Sequence, residues 1–465
     1  MSEIPVIAIF DVGKTNKKLF LFDEQYRIVF ERTARFTETT DEDGAPCENL
    51  ESLRLSVFDS LREVFRRKDL VVKAINFSAY GASLVYIDEE GRPLTPLYSY
   101  LKDYPIALGE QFYQQYGGEQ AFSIQAASPV LGSLNSGMQL YRLKHTRPEV
   151  YEKVKYALHL PQYMSYLLSG VACSDITSIG CHTNLWDFQQ NNYHTWVIKE
   201  GVLEKLAPLF SSGEVMPAAF PGNSYVVGTG LHDSSAALIP YLVNFQEPFV
   251  LISTGTWCIS LNPFNDTPLT DEELAADCLC YMTFQGKPVK ASRLFAGYEH
   301  EQQVKRIADH FNQHPGRYRN VEFDSNVIQQ LKERNKREDT LLTSHPELLQ
   351  VTVFGQRDLS SFASDTAAYH QLMLDIANAQ YLATKRVLKG SAVKRVFVDG
   401  GFSKNAIYMN LLAAFFPEME IFAASMAQAT AMGAALAIHT AWNSKPLPND
   451  LIALKYYSAT HDVTF

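Results

Sequence analysis

The chain has 465 residues, too many for one ordinary hydrophobic core, so two or more domains are expected. A net charge of −10 argues against a nucleic-acid-binding surface, and no run of eighteen apolar residues offers a membrane span. Six dispersed cysteines without zinc-type spacing, and an N-terminus without a basic leader, predict a cytoplasmic protein with reduced thiols.

The first element is "IFDVGKTNKKLFLFDE", Ile9 to Glu24. Gly-Lys-Thr ends the phosphate loop of many nucleotide-binding proteins, but that loop needs a glycine five residues before Gly13, after a strand and before a helix. Position 8 is Ala8, inside an apolar run, and Leu19 to Phe22 form a short apolar block closed by a turn. The segment therefore reads as strand, tight turn, strand. It leaves Asp11 at a strand end, with Gly13, Thr15 and Lys18 at the hairpin. A carboxylate there can hold Mg²⁺ or its waters, and turn N–H groups with a hydroxyl can meet a phosphate. Alone, the stretch fits an ordinary Asp-x-Gly turn equally well.

A helix is predicted over "NLESLRLSVFDSLREVFRRK", where Leu50, Leu53, Val57, Leu61, Val64 and Phe65 share one face. Strands follow in "VVKAINFSAYG" and "ASLVYIDEEG". Helices are predicted from "LGEQFYQQYG" through "YMSYLLSG", with Pro148 at a first turn and Gly170 at a C-terminal cap. The Pro- and Gly-rich "FPGNSYVVGTGLHDSSAALIP" marks a break, after which a small-residue helix starts near Asp233. "PFVLISTGTWCISLNP" repeats the opening pattern of strand, Gly-containing turn and strand. The halves, 1–228 and 229–465, thus predict a duplicated α/β architecture with a cleft between them. The charged stretch from Glu299 to Glu338 reads as exposed helices. A long helix over "YHQLMLDIANAQYLATKRVLKG", a strand "VKRVFVDGG" and a small-residue helix in "QATAMGAALAIHTAW" close the chain.

Four segments carry candidate chemistry: Asp11-Val-Gly13-Lys-Thr15, Gly230-Leu-His232-Asp233, Thr254-Gly255-Thr256 and Asp399-Gly400-Gly401-Phe-Ser-Lys-Asn405. Singly, each has a plain structural reading. Asp233 can cap a helix, His232 can be a hydrogen-bonding core residue, and the glycines can serve tight turns. Their order along one chain is much harder to obtain by chance.

That order resembles the FGGY carbohydrate kinases, over essentially the whole length. Asp11, Gly13, Thr15 and Lys18 match the family's first phosphate hairpin, and "GLHDSSAAL" matches the segment bearing its catalytic aspartate, here Asp233. "STGTW" is similar to the second hairpin of rhamnulose kinases, "GGFSKN" to the adenosine turn, and "QATAMGAALAI" to the late small-residue helix. The resemblance implies two duplicated ribonuclease-H-like domains of the actin and hexokinase type, with sugar mainly on the first and ATP mainly on the second. It implies transfer of the ATP γ-phosphoryl group to a sugar hydroxyl, with Mg²⁺ at Asp11. Nucleotide contacts would come from Gly13, Thr15, Lys18, Thr254, Gly255, Thr256, Gly400, Gly401 and Asn405. Sugar contacts would come from Tyr80, Gly81, Asp103, His232 and Asp233. An ordinary carboxyl pKa near 4 would keep Asp233 ionised as the base. A homodimer is left open.

Several positions depart from the family pattern. Lys14 replaces a small residue, to bind phosphate or face solvent. Pro105 stands where an arginine is common, Tyr80-Gly81 is similar to the Trp-Gly of rhamnulose kinases, and Ser83 replaces their aspartate. These favour a ketose, with 6-deoxyketoses ahead of xylulose. The rival reading is a non-catalytic ATP- and sugar-binding regulator on the same fold. A dinucleotide oxidoreductase lacks its G-x-G-x-x-G after the first strand.

Overall fold

A computed structural model describes residues 3–14, 17–33, 37–220, 224–338, 353–426 and 428–459. The first sheet contains β1 (Ile4–Val12), β2 (Lys17–Asp23), β3 (Ile28–Thr33), β4 (Leu70–Ala79), β5 (Val215–Pro217) and β6 (Val226–Gly228). They lie in the order β5-β6-β4-β1-β2-β3, and a two-residue strand, Leu231–His232, also pairs with β4. The second sheet contains β7 (Phe249–Thr254), β8 (Cys258–Asn262), β9 (Cys278–Met282), β10 (Pro288–Leu294), β11 (Arg395–Gly400), β12 (Glu420–Ser425) and β13 (Ala453–Tyr457). Their order is β9-β10-β8-β7-β11-β12-β13.

The duplication is visible in these orders. The run β3-β2-β1-β4-β6 matches β10-β8-β7-β11-β12. In each half three antiparallel strands are followed by parallel partners: β1 with β4, β4 with β6, β7 with β11, and β11 with β12. Both central strands are covered on two faces, so Val6 to Phe10 and Phe249 to Ile252 are unbroken apolar runs. The apolar block Leu19–Phe22 is indeed a buried strand, antiparallel to β1.

One element differs from expectation. Tyr156–His159, within a stretch expected to be helical, is a strand paired with Leu84–Ile87. Four apolar-rich residues carry no helical period, so only the distant partner decides their state. The segment following Glu299 is helical, over Ala296–His310 and Ser325–Glu338, but it is not a solvated appendage. Val304, Ile307, Ile328 and Leu331 enter the core of the second half.

The helices Asp233–Asn244 and Ala429–Ala437 pack on each other where the two sheets meet, the former contributing to the cores of both. Gly433 faces Ala236 so closely that a Cβ would lie 1.8 Å from the Ala236 carbonyl oxygen. Ala236, Ala431, Ala434 and Ala435 share one core with Ile7 and Ile9 of the first sheet. Small side chains let the two backbones approach, as the composition of that helix suggested.

Replacing a helical glycine by alanine ordinarily adds up to about 1 kcal/mol of stability. At Gly433 the sign should reverse, because overpacking of this kind costs about 1–3 kcal/mol. Gly433→Ala is therefore expected to lower the melting temperature. A rise would show that the helices are not in contact there.

Candidate active site

Asp233 is the first residue of its helix and projects from the inter-sheet junction. The N-cap position belongs to His232, whose side chain makes no capping bond. Asp233 is therefore not the cap that its sequence position allows. Its Oδ1 accepts from the Ser234 N–H at 2.6 Å and lies 3.3 Å from His232 Nε2. The side chain keeps 30% of its surface open to the cleft, but protein surrounds it, and burial pushes its carboxyl up to about 6. The ordinary value near 4 is thus corrected.

Buried polar groups hold this segment. Asn76 Oδ1 accepts from the N–H groups of Phe77 and Gly230, while its Nδ2 donates to the Ala434 carbonyl across the junction. Thr177 Oγ1 accepts from the His232 N–H at 3.0 Å and donates to Asp175. Asp175 in turn accepts from Ser212 Oγ. Asn76, Asp175 and Thr177 are fully buried. None belongs to a segment singled out in the sequence, because each acts on partners distant in the chain.

Asp11 ends β1 opposite Lys18 and Ser78 of the flanking strands. Burial pushes its carboxyl up to about 6; a bond from Thr430 Oγ1 at 2.7 Å opposes this and the charge of Asp233 adds to it. Two carboxylates thus face one region with little positive charge to balance them. Lys18 is paired with Glu31 of β3. Gly13 begins the turn after β1; Thr15 lies outside the described residues. Lys14 does not stand free in solvent. Its ammonium lies 3.5 Å from Glu48 and over the rings of Tyr80 and Tyr100.

A cleft of about 780 Å³ gathers Tyr80, Gly81, Asp103, His232 and Asp233, the five expected sugar-side residues. Gly81 packs on the His232 ring, where a Cβ would lie 2.9 Å from Cδ2. Asp103 is exposed at the rim, whereas Ser83 is buried and bonds the Tyr98 carbonyl. The second half contributes a wall that sequence reasoning missed: Trp257, Tyr281, Arg293 and Phe295. Arg293 is held by Asp277 and lies over the Trp257 ring. Trp257 follows directly after the second hairpin motif, which is the only sequence signal for this wall.

A larger cavity, about 1070 Å³, gathers Thr254, Gly255, Gly401 and Asn405 with Gly297 and the segment Tyr318–Phe323. The N-termini of the helices Ala296–His310 and Ala406–Phe415 border it, which favours an anion. Thr254 is not a free hydroxyl. Its Oγ1 donates to the Asp399 carbonyl and accepts from Phe402 N–H, fastening β7 to the turn after β11. Thr256 is exposed at the hairpin tip. Asn405 caps the helix that follows through Tyr408 N–H, and its amide donates to Tyr369. The paired glycines have different tasks. Gly400 has φ +93° and a Cβ would lie 2.0 Å from the Thr254 carbonyl; Gly401 has open space beside it.

This is the two-sheet, central-cleft class of the actin and hexokinase type. The FGGY family model of carbohydrate kinases, N-terminal domain, matches residues 6–239, and the carbohydrate kinase FGGY C-terminal domain matches residues 246–446. The chain belongs to the FGGY family of carbohydrate kinases. A rhamnulokinase of Halalkalibacterium halodurans is 22% identical over 261 residues, covering 54% of each chain. One from Mannheimia succiniciproducens is 24% identical over 279 residues, 57% of this chain and 55% of the relative. The matches thus span about half the length of these relatives. Among solved structures, a carbohydrate kinase from Novosphingobium aromaticivorans superposes with a TM-score of 0.76 at 23% identity, covering 98% of this chain and 95% of that one. Glycerol kinase of Plasmodium falciparum with ADP gives 0.73 at 13% identity, covering 99% and 95%. These two likenesses show the fold.

Gly400→Ala is expected to lower the melting temperature, since both backbone angle and space forbid the change. Gly401→Val should leave melting nearly unchanged and weaken ATP binding at least tenfold, with sugar binding spared. Calorimetry on both variants checks this, and equal losses of both ligands at Gly401 would contradict it.

Proposed function

We propose that this protein transfers the γ-phosphoryl group of ATP to a hydroxyl of a ketose. The observation that carries the proposal is Asp233, a carboxylate raised to about 6 in a sugar-sized cleft whose wall residue Trp257 closely follows Thr254 and Gly255 of the anion-favouring cavity. In this reading the 1–228 half supplies most sugar contacts and the 229–465 half most nucleotide contacts.

Asp11 supports a Mg²⁺ site, because the charge of Asp233 adds to the raising of its carboxyl and carboxylate oxygens suit a hydrated hard cation. Asp11 would hold it through its waters, with Asp233 nearby. When bound, Mg²⁺ neutralises phosphate charge. The Gly255 N–H is taken up by the Trp257 carbonyl, so the Thr256 N–H at the hairpin tip and the helix ends at Gly297 and Ala406 would orient the phosphates. Phosphoryl transfer asks mainly for such positioning. The sugar oxygen attacks the γ-phosphorus, its bond to phosphorus forms as the bridging bond to ADP breaks, and Asp233 takes the hydroxyl proton. At neutral pH a carboxyl near 6 is mostly ionised and is a stronger base than an ordinary aspartate. His232, made neutral by burial that lowers it to about 4, adds no positive charge beside the base. Closure of the two halves would exclude water.

Tyr80-Gly81, the Trp257 wall and the similarity to rhamnulokinases support 6-deoxyketoses ahead of xylulose. A coupled assay for ADP release across ketopentoses, 6-deoxyketoses, polyols and glycerol tests the reading. Sugar-stimulated ADP production is expected, with rhamnulose or fuculose favoured in kcat/KM. Its rate should fall as pH drops through about 6, where Asp233 takes up a proton. Nucleotide binding without turnover across the panel would instead identify a non-catalytic binder, and a large preference for xylulose would overturn the substrate order.

A further inference from the structure

Behind the sugar-side cleft, Cys181, His182 and His232 offer a sulfur and two imidazole nitrogens that all lie within 4.8 Å of one another. Among the described residues, no other three histidine, cysteine or acidic side chains are so placed. The donor set is soft to borderline, unlike the oxygen donors that suit Mg²⁺. Each ring has the outer support common to metal-ligating histidines. His182 Nδ1 lies 3.2 Å from the Leu134 carbonyl, which fixes a proton on Nδ1 and leaves Nε2 free. His232 Nε2 is 3.3 Å from the Asp233 carboxylate, and its Nδ1, though buried, has no hydrogen-bond partner. A buried nitrogen without a partner is costly in a core and useful in a ligand site.

Space and access agree with this. Gly81 packs so closely that a Cβ would come within 3.1 Å of His232 Nε2 and 3.4 Å of Cys181 Sγ, and its bare backbone lets ring and thiol lie side by side. His182 and His232 both line the cleft, so an ion can arrive from solvent through it. A tetrahedral zinc ion spaces such ligands by roughly 3.4 Å, given bonds of about 2.0–2.3 Å.

We propose that Cys181, His182 and His232 bind a zinc-class divalent cation at the floor of the cleft, with Asp233 as the neighbouring carboxylate. Binding displaces the Cys181 thiol proton to solvent and forms the sulfur–metal bond. The ion would polarise the His232 ring, whose Nε2–H would then hold the Asp233 carboxylate, so the loaded form would be inactive. Only this blocking effect rests on the kinase reading; the site itself does not.

Co²⁺ alone, added to the full-length metal-free protein, tests the site without any turnover. One equivalent is expected to give a thiolate-to-cobalt charge-transfer band that Zn²⁺ abolishes. Cys181→Ser should remove the band, and His182→Gln should weaken Co²⁺ binding at least tenfold, with melting curves showing both variants folded. Absence of the band, or its persistence in Cys181→Ser through another of the six cysteines, would overturn the site. Where the sugar panel has found turnover, site-saturating Zn²⁺ should suppress it, reversibly on adding EDTA with Mg²⁺ kept in excess over the chelator, and much less in Cys181→Ser. Turnover that persists with the site filled would overturn the blocking effect.

Discussion

The close contact of Gly433 with Ala236 is the constraint on which the site depends. It brings the helices Asp233–Asn244 and Ala429–Ala437 into backbone contact, and each starts at the cleft. One start presents Asp233. The other presents Thr430, which bonds Asp11 across the junction. Asn76 then ties the same region from within the first sheet, reaching Gly230 on one side and Ala434 on the other. Three chain segments more than a hundred residues apart are thus held to one geometry by a missing side chain and a few buried bonds.

That geometry keeps Asp233 under strain of an electrostatic kind. Its carboxyl is raised, so the folded protein holds the proton more tightly than the unfolded chain does. The ionised form therefore destabilises the fold above about pH 6, and the penalty fades as pH falls from there toward the ordinary carboxyl value. The same holds for Asp11. A protein selected for stability alone would not keep two such groups together; a site that handles phosphate, cation and proton gains from them.

Much of this was legible in the sequence. The two strand-turn-strand units and the small-residue helix follow from local patterns and their order, and the five residues that the family resemblance grouped together do line one cleft. The exceptions have physical causes. Thr254 and Asn405 belong to recognisable motifs, yet their polar atoms hold the backbone of the larger cavity, which a motif cannot distinguish from ligand contact. The Tyr156–His159 strand depends on a partner seventy residues away. The supporting Asn76, Asp175 and Thr177, and the Trp257 to Phe295 wall, are ordinary residues in ordinary elements until the halves close on each other. The raised carboxyls likewise reflect burial from both halves at once.

The central claim is that Asp233 is a base and not a structural polar residue. Asp233→Asn keeps the oxygen that accepts from Ser234 and removes the buried charge, so the fold should be at least as stable as the parent at pH 8. Turnover of this variant, measured with sugar and nucleotide binding on the same preparation, is the most direct test. The account predicts intact binding with kcat lower by about 10²–10⁴-fold. A folded variant that turns over within a few-fold of the parent would contradict it.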